Sequence, residues 1–322
     1  MKTQIDKMVE TNKIWKTNHP ITAEDHAVMA AMRAVVEPFK GKLQGTAARG
    51  PFDGIMGRVL PPEGVTYEAD TVGGVAGWWC RLGSPQSGKA IVHLHGGWFN
   101  WGTAQAFRHL VGHIAARAGA DAFVPEYRLA PEHPFPAAIE DVEACYNGLL
   151  DRGIQRIALA GDSAGGCLAL VLLSTITANA SNGGVIPVGA VALSPVTDLA
   201  LTGASWESRA TADPYFTQPQ VLGLVRAYLN NADPKNALAS PLYGDLAGIP
   251  PVRVHVGEDE VLLDDSVRYV ERAVSAGVDA KLDVWEGMPH GFASNVGKLA
   301  AAKQALDAIG AFLAERLGIT GE

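Results

Sequence analysis

Residues 156–176 read RIALAGDSAGGCLALVLLSTI. A short β-rich run, RIALA, passes through GDSAGG into an apolar run of helical length, so a strand turns directly into a helix at Ser163. Gly161 and Gly165 flank the serine in the pattern G-x-S-x-G. So sharp a turn forces the serine into strained backbone geometry, and side chains at the flanking positions would collide with the neighbouring strand and helix. The helix start then favours negative charge beside the hydroxyl. A capping serine beside chance glycines would show the same letters. The strand before it and the helix after it favour a nucleophile.

Outward from this turn the rhythm repeats. From about Thr66, YEADTV and VAGWWCR read as an antiparallel opening pair. AIVHLH, DAFVPEY, RIALAG, GAVALS, VRVHVG and AKLDVW follow as short β-rich runs. Between several of them lie amphipathic segments that close on glycine, such as AFRHLVGHIAARAG and DDSVRYVERAVSAG. Eight strands with helices between the later ones predict an α/β fold, a mostly parallel sheet covered by helices on both faces. Two stretches break the pattern: residues 1–50, ahead of the first strand, and residues 203–245, between the sixth and seventh strands. Insertions there sit over the carboxyl edge of the sheet, where open α/β folds bind ligands, so the two are expected to form a helical cap. The division is then a cap region over 1–50 and a catalytic domain over 51–322 with its insertion at 203–245.

The 322 residues are 48% hydrophobic, enough for one large core, and carry a formal charge of −8. That balance argues against nucleic acid, whose phosphates need clustered Lys and Arg. Cys80, Cys145 and Cys167 are odd in number and widely spaced, giving neither a disulfide framework nor metal-ligand spacing. The polar N-terminus has no secretory core and the longest apolar stretch is too short to span a bilayer, so a cytoplasmic protein is expected.

A serine hydroxyl near neutral pH needs a base. Of nine histidines, His290 in EGMPHGFAS lies just past the last strand, at the carboxyl edge, where a base must sit. A carboxylate must then orient the imidazole. EDEVLLDDS offers Glu258, Asp259, Glu260, Asp264 and Asp265, with Asp198 in SPVTDL beside them, and composition does not choose among these. All give the order Ser…acid…His. The stretch HLHGGWFNWG, residues 93–102, places Gly96 and Gly97 after a strand, where bare backbone amides, with that of Ala164 after the serine, suit a developing oxyanion.

At this point the chain resembles the hormone-sensitive-lipase-like (bacterial family IV) esterases of the α/β-hydrolase superfamily, over roughly residues 66–318. The motifs are HGGW where that family has HGGG, YRLAPEHPFPAAIED, GDSAGG, SPLYGDLAGIPP and HGF at His290. The resemblance implies Glu260 as the triad acid, thirty residues before His290, with Asp259 as second choice. It implies amides of Gly97 and Trp98 in the oxyanion hole, and side chains of Trp98, Phe99 and Phe292 at the substrate. Trp101 is equally ordinary packing. It also leaves open a homodimer through the last strand and helix.

Other patterns carry less. His93-x-His95 could grip a metal, but His95 is accounted for by the HGG motif; His109 and His113 lack the glutamate of a zinc-protease motif; His133 reads as loop architecture. The expected function is hydrolysis of short to medium acyl esters through an acyl-enzyme, with no metal and no cofactor implied. The rivals are an arylformamidase- or lactonase-type hydrolase with the same triad, and a non-catalytic small-molecule receptor.

Overall fold

A computed structural model describes residues 15–84, 87–180 and 184–319. Among them nine strands form one sheet in the order β1-β9-β8-β7-β6-β4-β5-β3-β2. Strands β2 (Val65–Val72), β3 (Val75–Leu82), β4 (Lys89–Leu94), β5 (Ala122–Pro125), β6 (Arg156–Asp162), β7 (Ala190–Leu193), β8 (Val252–Gly257) and β9 (Ala280–Trp285) are the eight read from the sequence. The β2–β3 and β3–β5 pairs are antiparallel and the other pairs parallel.

The ninth strand corrects the count. β1 (Lys16–His19) pairs in parallel with β9, Lys16 opposite Leu282 and His19 opposite Trp285. Its sequence, KTNH, has no apolar alternation to announce it. It is held from the far end of the chain: the His19 ring stacks on Trp285 with centroids 3.9 Å apart, and His19 Nε2 lies 2.7 Å from Asp283 Oδ1. Part of the stretch expected to cap the molecule therefore belongs to the sheet. β1 covers the outer edge of β9 from Leu282 to Trp285, so the edge strands of the sheet are β1 and β2. The first fourteen residues of the expected cap lie outside the described ones.

The central strands are apolar throughout because both faces are covered. Ala90, Val92, Leu94, Ile157, Leu159, Ala190 and Ala192 pack into one cluster, while the alternating Ile91, Ala158, Ala160, Val191 and Leu193 pack into another. On the first face lie α4 (Ala137–Asp151), α5 (Ala164–Asn179) and α8 (Leu263–Ser275), and on the second α3 (Ala104–Ala118) and α9 (Ala300–Leu317). Helix α5 is buried from Ala164 to Leu173, which explains its lack of a polar face.

Of the remaining helices, α1 (Ala23–Val36), α6 (Ser205–Ser208) and α7 (Gln218–Leu229) come from the two irregular stretches, while α2 (Arg49–Met56) starts at the end of the first and runs past it. Those stretches bind each other. Gly41 N donates to Tyr215 O at 2.9 Å, Gln220 Nε2 to Leu43 O at 2.7 Å, and Arg33 reaches Ala212 O at 2.5 Å. Among the described residues no helix is long and apolar enough to cross a membrane.

Candidate active site

Ser163 stands between the last residue of β6 and the first of α5, with φ 56° and ψ −118°. That left-handed φ is uncommon for a side-chain-bearing residue and is held from both sides. Ser163 N donates to Leu193 O at 2.7 Å, and Ser163 O accepts from Val196 N and Cys167 N, each at 3.1 Å. The flanking glycines are required. A Cβ on Gly161 would come within 2.3 Å of Gly165 O, and one on Gly165 within 1.9 Å of Leu94 O. The serine is 3% exposed.

The loop after β4 runs against this turn. A Cβ on Gly96 would fall 2.3 Å from Asp162 Oδ2 and 3.2 Å from Ser163 Cβ. Gly97 has φ 123°, and Trp98 and Phe99 follow at φ 53° and 61°, so three successive residues are left-handed. Among the described residues the amides of Gly97, Trp98 and Ala164 have no protein acceptor. The loop is braced elsewhere. Asn100 Nδ2 donates to Trp98 O and Leu224 O, Arg49 Nε to Asn100 O at 2.9 Å, and Trp101 Nε1 to Gly45 O at 2.8 Å, which makes Trp101 a packing residue. His95 supports the loop from inside: it is fully buried, its Nδ1 lies 2.9 Å from Gly96 O, and it stacks on Tyr127. Burial lowers its pKa to about 4, so the ring is neutral.

His290 Nδ1 lies 2.8 Å from Glu260 Oε2, joining the end of β8 to the loop past β9. Glu260 is fully buried, and its Oε1 accepts from Ser194 Oγ and Gly257 N, both at 2.6 Å. Burial disfavours the imidazolium, but the charge and hydrogen bond of Glu260, with Asp213 and Asp162 beyond, outweigh it, and the His290 pKa is raised. No hydrogen bond joins Ser163 Oγ to His290 among the described residues, a looseness usual before substrate binds.

The other carboxylates have partners of their own. Asp259 pairs with Arg33 at 2.5 Å and Glu258 with Arg209 at 3.5 Å. Asp264 accepts from Ser205 N, Asp265 from Thr197 N and Asp198 N, and Asp198 pairs with Arg268 at 2.9 Å. Of the six candidates only Glu260 touches His290.

Trp98 is 2% exposed and meets Phe216 edge-on, centroids 5.4 Å apart; Phe216 in turn meets the His290 ring edge-on at 5.1 Å. An open cleft of about 700 Å³ reaches Phe216, Trp206, Leu201, Thr217 and Val261, the last beside Glu260. The other two expected substrate residues, Phe99 and Phe292, are as buried as Trp98. Phe99 stacks on Tyr228 with centroids 3.8 Å apart, and Phe292, 1% exposed, packs against Trp285 in the cluster under α1. Sequence reasoning missed Phe216, Ser194 and Asp213. The last is buried, receiving Tyr215 N and Phe216 N on one oxygen and Val261 N on the other, which ties the 203–245 stretch to the Glu260 loop. Nothing local marks any of the three.

Residues 91–294 match the family described as alpha/beta hydrolase fold. An acetyl-hydrolase of Streptomyces hygroscopicus is 37% identical over 80% of this chain and 85% of its own. An esterase of Acinetobacter venetianus is 36% identical over 70% of this chain and 74% of its own. Among solved structures, an esterase from the bacterial hormone-sensitive lipase family superposes with a TM-score of 0.84 at 37% identity, covering 92% of this chain and 99% of that one.

Proposed function

Given that the chain belongs to the alpha/beta hydrolase fold family, among its hormone-sensitive-lipase-like esterases, and is a serine ester hydrolase, we propose that Ser163, His290 and Glu260 are its catalytic triad. The observation that carries this is the 2.8 Å contact of His290 with Glu260 in a site that also holds the strained Ser163 and three unpartnered amides. In this reading Ser163 Oγ attacks the acyl carbon as His290 Nε2 takes its proton. The oxyanion is received by the amides of Gly97, Trp98 and Ala164, and Gly96 supplies the bare backbone that lets the loop approach. Removing one such donor typically costs about 2.7–4 kcal/mol of barrier stabilisation. Collapse expels the alcohol, protonated by His290. Water, deprotonated by the same ring, then releases the acid. Glu260 fixes the tautomer and stabilises the imidazolium. Residues 20–57 and about 203–245 form the cap over this site. Cytoplasmic residence suits the three free, buried thiols.

Esters of short to medium acids are the substrates this reading assigns. Trp98 and the Phe216 ring beside it close one side of the site with buried aromatic surface, and one relative is named an acetyl-hydrolase. Relatives named esterases favour this over formamides or lactones. On p-nitrophenyl esters from acetate to palmitate, kcat/KM is expected to peak by hexanoate and fall by about 100-fold or more at palmitate, as each methylene beyond the pocket loses its fit. A maximum at palmitate would overturn the assignment.

The base must be neutral to accept the serine proton, and its pKa is raised. Activity should therefore rise with pH through a value above that of ordinary imidazole. Glu260→Gln removes the charge that raises it, so the acid limb of kcat/KM should move to lower pH while the plateau falls. An unmoved limb would separate His290 from Glu260.

A further inference from the structure

We propose that Ser194 is a positioning residue for the proton relay, its hydroxyl holding Glu260 in the one orientation that presents Oε2 to His290. This rests on the reading of Glu260 as the residue that orients His290.

A glutamate reaches one methylene further than an aspartate and has one more torsion to fix. Here the carboxylate is fully buried, so water cannot solvate or restrain it, and an ionised carboxylate can only accept. Its two oxygens divide the work. Oε2 takes the His290 contact, and Oε1 is held by two donors, Ser194 Oγ and Gly257 N, each at 2.6 Å. One donor would leave the carboxylate free to swing about that bond; two donors on one oxygen fix where the other points.

Ser194 is built for this place. It follows the last residue of β7 and adopts φ 46°, a left-handed conformation uncommon outside glycine. Its amide donates to His255 O at 2.7 Å, so the strained residue is pinned between β7 and β8. It is 3% exposed, and its hydroxyl goes to Glu260. The residue before it, Leu193, accepts the amide of Ser163 at 2.7 Å. Two consecutive residues at the end of β7 therefore fix the nucleophile's backbone and the acid's side chain in one frame.

The test is a double-mutant cycle with kcat, KM and melting temperature measured for each protein. Ser194→Ala is the direct variant. Ser194→Gly is the decisive one, because glycine suits φ 46° and deletes the hydroxyl without straining the backbone. Both should lower kcat by about 10- to 100-fold, the worth of a hydrogen bond to a buried charge, with KM within about two-fold. The glycine variant should melt no lower than wild type beyond about 3 °C. In a Glu260→Ala background, itself down by about 10³- to 10⁴-fold, Ser194→Gly should change kcat by less than about two-fold. If Glu260→Ala leaves kcat near wild type, the orienting role of Glu260 fails. If Glu260→Ala collapses kcat but Ser194→Gly costs the same in both backgrounds, or nothing in either, the assignment of Ser194 is overturned while that of Glu260 stands.

Discussion

Replacing Ser163 by alanine is expected to lower kcat on short-chain esters by about 10⁴- to 10⁶-fold with KM nearly unchanged, the largest single effect in the molecule. The substitution removes one oxygen and little else. Alanine adopts φ 56° no worse than serine does, and the backbone bonds to Leu193, Val196 and Cys167 do not use the side chain. The fold, the unpartnered amides and the Glu260–His290 pair should all survive, so the melting temperature should move by no more than a few degrees. With no acyl-enzyme formed, the early burst of p-nitrophenol should vanish as well. The residues act as a unit. Adding His290→Ala to Ser163→Ala should cost little more, because a base without its nucleophile has no proton to take. Retention of more than about 1% of wild-type kcat by Ser163→Ala would place the nucleophile elsewhere.

Gly165→Ala should have the largest effect on stability for a single methyl group. The added Cβ would lie 1.9 Å from Leu94 O and 2.5 Å from His95 O, both main-chain atoms that no rotamer change can move. The end of β4 would have to separate from the start of α5. A loss of more than about 4 kcal/mol is expected, lowering the melting temperature by about 6 °C in a chain of this length. The residues forced apart adjoin those whose amides are assigned to the oxyanion, Gly97 and Trp98 on one side and Ala164 on the other, so kcat should fall by about 100-fold or more in whatever protein still folds. The opposite sign is expected at Gly223 in α7. There a Cβ meets nothing within 4 Å and the position is exposed, so Gly223→Ala should stabilise the protein by about 0.5–1 kcal/mol. Equal melting curves for the two variants would show that contact at Gly165, not loss of glycine, had been wrongly invoked.

The sequence by itself determined the parts of this protein whose causes are local. The turn at Ser163 is written in GDSAGG because only glycine fits at Gly161 and Gly165, and the central strands β4 to β8 are written in apolar runs that must be dry on both faces. His290 follows from its place just past the last strand. Resemblance to a family then singled out Glu260, but the residues alone left six carboxylates equal, since an acidic run has no periodicity that tells one from the next. In the tertiary structure their partners tell them apart: Arg33, Arg209 and Arg268 hold three, backbone amides hold two, and Glu260 alone turns to His290. It also decided that KTNH is a strand, because β9, more than 260 residues away, offers the edge. The same long-range packing set Phe99 against Tyr228, Phe292 against Trp285 and Phe216 against the His290 ring. A side chain's neighbours across the sheet set its burial, and burial in turn sets which polar atoms must find one another.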